Sequence, residues 1–96
     1  MPLFVVIGRD AAGAGEKRAA VRDRHLANAR PLEDAGRVRF AGPMRDEAGN
    51  ACGSVLVLEF DSLGEARKFA ESDPYWTDGV FESLEVFETI QVFPEN

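Results

Sequence analysis

The stretch Cys52-Gly53-Ser54-Val55-Leu56-Val57-Leu58-Glu59-Phe60, followed at once by Ser62-Leu63-Gly64-Glu65, decides the fold. Its first part is the most hydrophobic run of the chain and reads as a strand. Successive strand side chains point to opposite faces, so Leu56, Leu58 and Phe60 lie opposite Val55 and Val57, and both faces are apolar. Its second part has the capping-box pattern of a helix start. Leu63, Ala66, Phe69 and Ala70 supply the buried stripe of that helix. Asp73-Pro74 ends it, because the residue before a proline is pushed out of the α region.

Downstream, Tyr75 to Phe81 leads into a last strand, about Leu84 to Phe93. Upstream, a polar loop from Met44 to Asn50 follows Arg37 to Ala41, whose alternation suits a strand with one wet side at a sheet edge. Gly42-Pro43 is expected to stop that strand. Before it stands a helical segment from about Glu16 to Ala35, in which Pro31 cannot donate to Ala27 and should kink or break the last turns. Gly36 ends the helix. The chain begins with Pro2 to Gly8, a β-branched and aromatic run that forms strand one.

The order strand, helix, strand, strand, helix, strand places the 96 residues as one domain of the α+β class. Right-handed crossovers then give a ferredoxin-like βαββαβ arrangement: a four-stranded antiparallel sheet, strands one and three central, two helices on one face. Strand one, like strand three, is apolar on both sides, with Leu3, Val5 and Ile7 opposite Phe4 and Val6. The helices cover only one face. The other should be buried against a second copy, so a homodimer packed sheet to sheet is expected.

The net charge of −6 is a poor footprint for nucleic acid, whose phosphates need clustered Lys and Arg, and it disfavours anionic membrane surfaces. The chain shows no signal-peptide pattern and no apolar run long enough to span a bilayer. A single cysteine, Cys52, cannot form an internal disulfide, and a reducing, cytoplasmic setting is expected. The glycines of Ala11-Ala12-Gly13-Ala14-Gly15 lie between a strand and a helix but fail as a nucleotide loop. Arg18 stands where the dinucleotide fingerprint wants Gly or Ala, and no Gly-Lys-Ser/Thr follows.

His25 is the only histidine, the one side-chain type here that ordinarily exchanges a proton near neutrality. Val21, His25, Ala29 and Leu32 share one helical face, so His25 lies on or beside the inward stripe, whereas Lys17, Asp23, Arg24 and Arg30 form a solvated face. Such a position equally suits a half-buried structural histidine. Asp73 sits at a helix C-terminus, where the dipole disfavours negative charge and a nearby cation would offset it. It is equally an ordinary turn opener. Ser54 follows Gly53 on a central strand and can aim a hydroxyl at the same pocket. Tyr75 and Trp76 suit an aromatic pocket wall or core packing. One His and one Cys make no ordinary zinc site, and no cofactor motif stands in the chain.

The segments Arg22-Asp23-Arg24-His25-Leu26, Gly42-Pro43, Gly53-Ser54, and Asp73-Pro74-Tyr75 with Gly79-Val80-Phe81 occur in the order and approximate spacing of the YCII-related family, which nearly the whole chain resembles. The resemblance implies a dimeric α+β barrel of ferredoxin-like subunits and an active site built on a His/Asp pair. His25 and Asp73 match the pair, and Ser54 matches the Gly-Ser position beside the cleft. Pro31 departs from the family pattern.

The expected protein is a small cofactor-independent enzyme, a lyase or isomerase acting on a small cyclic or aromatic metabolite. His25 would be the general acid/base and Asp73 would hold its tautomer. Gly42 and Gly53 would let backbone approach the ligand, and Ser54 would hydrogen-bond it. The alternatives are a non-catalytic dimer that binds or senses a small molecule in the same cleft, and a purely structural accessory protein.

Overall fold

The computed structural model describes residues 1–95. Its elements are β1 (Leu3–Asp10), α1 (Gly15–Asp34), β2 (Val38–Arg45), β3 (Ala51–Glu59), α2 (Leu63–Ser72), the short α3 (Pro74–Thr77) and β4 (Phe81–Thr89). The four strands form one antiparallel sheet in the order β2-β3-β1-β4, so the two strands that are apolar on both sides are the central ones. This is the ferredoxin-like βαββαβ arrangement expected from the sequence, with helices on one face. None of the helices is long and apolar enough to cross a membrane.

The register puts Phe4 opposite Leu58 and Val6 opposite Leu56. These four side chains, with Phe60, Leu32 of α1 and Ala66 and Ala70 of α2, form the main core. Full burial of side chains of the Leu, Val and Phe type stabilises by roughly 1.5–3 kcal/mol each, so this layer fixes the helices to the sheet. A second cluster, Ala14, Val21, Tyr75, Val80 and Phe81, lies toward the start of α1. On the opposite sheet face Leu3, Val5, Ile7, Val55 and Val57 are only half-buried, and Phe40 and Phe87 stand 55% and 53% exposed.

Four local expectations are corrected. Helix α1 runs unbroken through Pro31 to Asp34. Proline there removes a single donor, while Leu32 just beyond it remains in the core and the end is closed by a Schellman pattern, Gly36 N–H to Glu33 O at 3.0 Å and Arg37 N–H to Leu32 O at 2.9 Å. Gly36 at φ 71° takes the left-handed conformation that this cap requires. Gly42-Pro43 does not stop β2, which continues to Arg45. An edge strand tolerates a proline because half of its N–H groups face away from the sheet.

Strand β4 begins at Phe81 and ends at Thr89, earlier at both ends than the apolar pattern suggested. Ile90, Val92 and Phe93, which carried that pattern onward, are instead exposed. Leu63, expected in the buried stripe of α2, is 36% exposed. It is the first residue after the Ser62 cap, whose side chain accepts from Glu65 N–H, and lies before the turn that meets the core.

Candidate active site

The inward face of α1 brings His25 over the junction of α2 and α3. Asp73 is that junction: it ends α2 in extended conformation (φ −64°, ψ 132°) and caps α3, its Oδ1 accepting from Tyr75 N–H at 2.8 Å. The sequence placed Asp73 only at an unfavourable C-terminus. The structure also gives it the N-terminus of the next helical turn, whose free N–H stabilises its charge.

His25 Nδ1 lies 2.8 and 2.9 Å from Asp73 Oδ1 and Oδ2. A carboxylate only accepts, so Nδ1 carries the proton and the neutral ring keeps its lone pair on Nε2. Among the described residues Nε2 has no protein partner. The imidazole is held from its face as well: it stacks on Tyr75 with centroids 3.8 Å apart and planes within 6°. Tyr75 is in turn packed edge-on by Phe81 at 5.5 Å. His25 keeps 9% of its surface and Asp73 4%.

A second polar group completes the arrangement. Arg18, two helical turns before His25, donates from Nε to Asp10 Oδ2 at 2.9 Å and from Nη2 to Asp10 Oδ1 at 3.1 Å, and Nη2 also reaches Ser54 Oγ at 2.9 Å. The two charged side chains are largely buried, 13% and 7% exposed. Burial works against the Arg18 charge, but the Asp10 hydrogen bonds and charge outweigh it and hold its pKa above the ordinary range. The Arg18 guanidinium also sits 4.8 Å from the Tyr75 ring centroid, and Tyr75 Oη donates to the Arg18 carbonyl at 3.3 Å. Burial pushes the Tyr75 phenol above its ordinary value of 10, against the opposing pull of Arg18 and Arg22.

These residues enclose a cavity of about 210 Å³, walled by Arg18, Arg22 and His25 from α1, Gly42 and Pro43 from β2, Ser54 from β3, and Tyr75. Of the residues singled out from the sequence, His25, Ser54, Gly42 and Tyr75 therefore meet in one cavity, with Asp73 directly behind the imidazole. Gly53 does not line it. A Cβ there would collide with the Gly8 carbonyl of the neighbouring strand and with Met44, so its glycine serves strand packing. Trp76 is 36% exposed and stands away from the cavity.

Sequence reasoning missed Asp10, Arg18 and Arg22. For the two arginines a partial signal was available, since Arg18, Arg22 and His25 follow one another at i, i+4 and i+7, the spacing of one helical face; nothing in that spacing points to Asp10 or to its pairing with Arg18. Among the described residues no group of three or more His, Cys, Asp or Glu side chains is arranged to hold a metal.

A ferredoxin-like domain whose helical face holds a buried His–carboxylate pair at the rim of a small cavity is the class that fold and site define. The YCII-related domain model matches residues 2–90, and the chain belongs to that family. It is 40% identical over 97 residues to Protein YciI of Escherichia coli, covering 95% of this chain and 99% of that one. A relative from Haemophilus influenzae is 33% identical over 96 residues, covering 94% and 98%. Among solved structures, 5-chloro-2-hydroxyhydroquinone dehydrochlorinase (TftG) from Burkholderia phenoliruptrix, in complex with 2,5-dihydroxybenzoquinone, superposes with a TM-score of 0.79 at 28% identity, over 88% of this chain and 90% of that one. A more distant antibiotic biosynthesis monooxygenase-like protein from Nitrosomonas europaea, 14% identical with a TM-score of 0.57 over 99% and 93%, shares the fold.

Proposed function

We propose that residues 1–96 act as one domain of a cofactor-independent enzyme that performs general acid/base chemistry, of the lyase or isomerase type, on a small cyclic or aromatic metabolite. The observation that carries this reading is the single imidazole whose Nδ1 is tied to Asp73 and whose Nε2 is left without a protein partner beside the cavity. Nε2 takes a proton from an acidic O–H or C–H of the ligand. The electron pair left behind moves into the ring and either expels a leaving group or accepts the proton back at another carbon. Asp73 fixes the tautomer and stabilises the imidazolium in between. The structural likeness to a dehydrochlorinase, whose reaction type needs such a base, supports this assignment.

The half-buried apolar face, with Phe40 and Phe87 exposed upon it, supports a homodimer packed sheet to sheet, in the manner of a dimeric α+β barrel. A cytoplasmic setting agrees with the lone, exposed and unpaired Cys52.

The test is turnover of chlorinated and unsubstituted hydroxyhydroquinones, followed by chloride release and by deuterium uptake, in wild type and His25→Gln. Loss of both signals in the variant is expected. Full turnover by His25→Gln would sink the acid/base reading, and ligand binding without any product in the wild type would favour the non-catalytic binding dimer.

A further inference from the structure

The chain carries a net charge of −6, yet no carboxylate lines the cavity, and three of its walls' side chains are basic. Their charges are not equivalent. Arg18 is already matched by the two oxygens of Asp10. Arg22, one helical turn further along the same face, makes no hydrogen bond and no ion pair among the described residues, and its guanidinium is free for a ligand. Ser54 is just as one-sided. Its Oγ accepts from Arg18 Nη2, so its single proton remains to be given, and it donates to none of the described residues. Besides the His25 Nε2 lone pair, which the acid/base reading keeps for the proton in transfer, the polar groups offered to a ligand are a cation and a hydroxyl donor; the hydroxyl calls for an acceptor oxygen and the unmatched Arg22 charge for a negative one.

We propose that this site takes a planar organic oxyanion, an enolate, phenolate or carboxylate on a single ring, whose charged oxygen is received by Arg22 and the Ser54 hydroxyl. The proposal rests on the acid/base reading of the same cavity and names its substrate class. The Asp10–Arg18 pair is then a positioning device: by occupying the Ser54 lone pair it fixes the hydroxyl as a donor. The cavity's size agrees, since about 210 Å³ is below the roughly 300 Å³ at which pockets for drug-sized ligands begin. Arg22, Ser54 and His25 line the same cavity, so an anion received by the first two lies in the space that the proposed base faces.

The test is titration calorimetry with benzoate, its neutral isostere benzamide, and 2,5-dihydroxybenzoquinone, which is ionised at neutral pH. Wild type, Arg22→Gln, Arg22→Lys, Ser54→Ala and His25→Gln are compared. Wild type should bind benzoate at least about tenfold more tightly than benzamide, the scale of one charge-assisted hydrogen bond. Arg22→Gln should erase that preference by weakening both anions and leaving benzamide unchanged, Arg22→Lys should restore most of it, and Ser54→Ala should weaken the anions to a smaller degree. Arg22 is exposed, so its variants keep the fold.

Equal wild-type affinity for benzoate and benzamide, no binding of either anion at millimolar concentration, or an unchanged preference in Arg22→Gln would overturn the proposal. His25→Gln separates the two readings. If it keeps both anion preference and turnover, the acid/base role fails and the oxyanion site stands; if turnover depends on His25 but no anion preference exists, the reverse holds.

Discussion

His25 and Asp73 are 48 residues apart in the chain and meet through one ring nitrogen and both carboxylate oxygens, at 2.8 and 2.9 Å. The same carboxylate oxygen that is nearer to the ring also caps α3. The orientation of the imidazole and the local fold are therefore coupled in one side chain. An imidazole on its own interconverts its tautomers freely; this one is set by an acceptor that cannot donate.

Because the chain has a single histidine, that tautomer is directly readable by ¹⁵N NMR. Wild type should show Nδ1 protonated and Nε2 bare at high pH. Asp73→Asn, whose amide can present either a donor or an acceptor, should lose the preference and reduce turnover about 10²–10⁴-fold, the usual range for displacing a general base from its working state. A wild-type ring with the proton on Nε2 would contradict the assignment of that nitrogen as the base.

The buried pair Asp10–Arg18 gives a prediction about stability. Removing one member of a buried ion pair leaves the other charge uncompensated, at a cost of about 3–5 kcal/mol, whereas replacing both with apolar groups is often close to neutral. Both side chains keep a little solvent contact, so the lower end of that range applies to Asp10→Ala. The double variant Asp10→Ala/Arg18→Met should recover most of the loss in urea denaturation. Equal destabilisation by the single and the double variant would show that the pair acts by packing rather than by charge.

The sheet was legible because its two central strands are continuous β-branched and aromatic runs, and the strict two-residue period of a strand then assigns each side chain to a face: Phe4, Val6, Leu56 and Leu58 fall together on the helix-covered side. The pattern misled where side chains leave the core. Ile90, Val92 and Phe93 continue the apolar periodicity of β4, but they extend past the strand's last partner, Leu3 opposite Thr89. His25, Asp73 and Ser54 could be named since each is unusual for its place: a lone imidazole on an inward stripe, a carboxylate at a helix end, a hydroxyl on an apolar strand.

Asp10 and Arg18 could not be named in the same way. An Arg in the first turn of a long, charged helix looks like any solvated residue until a strand end eight residues earlier brings a carboxylate to it. Charge pairing of this kind depends on the β1–α1 loop geometry, which composition does not encode.

The Tyr75 phenol makes stability fall at alkaline pH. Burial holds its pKa above the ordinary value of 10, so the folded state keeps a proton that the unfolded chain has released. The contribution is complete below about pH 10 and is lost as pH rises through the raised value. Denaturation midpoints measured from pH 8 to 11.5 should drop more steeply for wild type than for Tyr75→Phe, although the variant starts lower for want of the bond to the Arg18 carbonyl. Parallel slopes would mean that Tyr75 ionises equally in both states. At the acid end, the exposed Asp78 is held below its ordinary value by the hydrogen bond from Arg24, so its small stabilising effect is present above about pH 4 and fades as pH falls through the depressed value.

The uncovered sheet face sets the last prediction. Phe40 on the edge strand β2 and Phe87 on the opposite edge strand β4 flank the half-buried Val5, Ile7, Val55 and Val57, so one apolar surface runs across all four strands. A second copy turned onto it buries the same residues on both sides, as a two-fold interface requires. Since Phe40 and Phe87 are more than half exposed in the protomer, charging them costs the monomer little: Phe40→Glu/Phe87→Glu should keep its helical and strand signals in circular dichroism. The same variant should elute at the monomer mass in light scattering at micromolar concentration, where wild type elutes at twice that mass. A wild-type monomer would leave this face without its proposed partner, and a dimer that survives both charges would place the interface elsewhere on the surface.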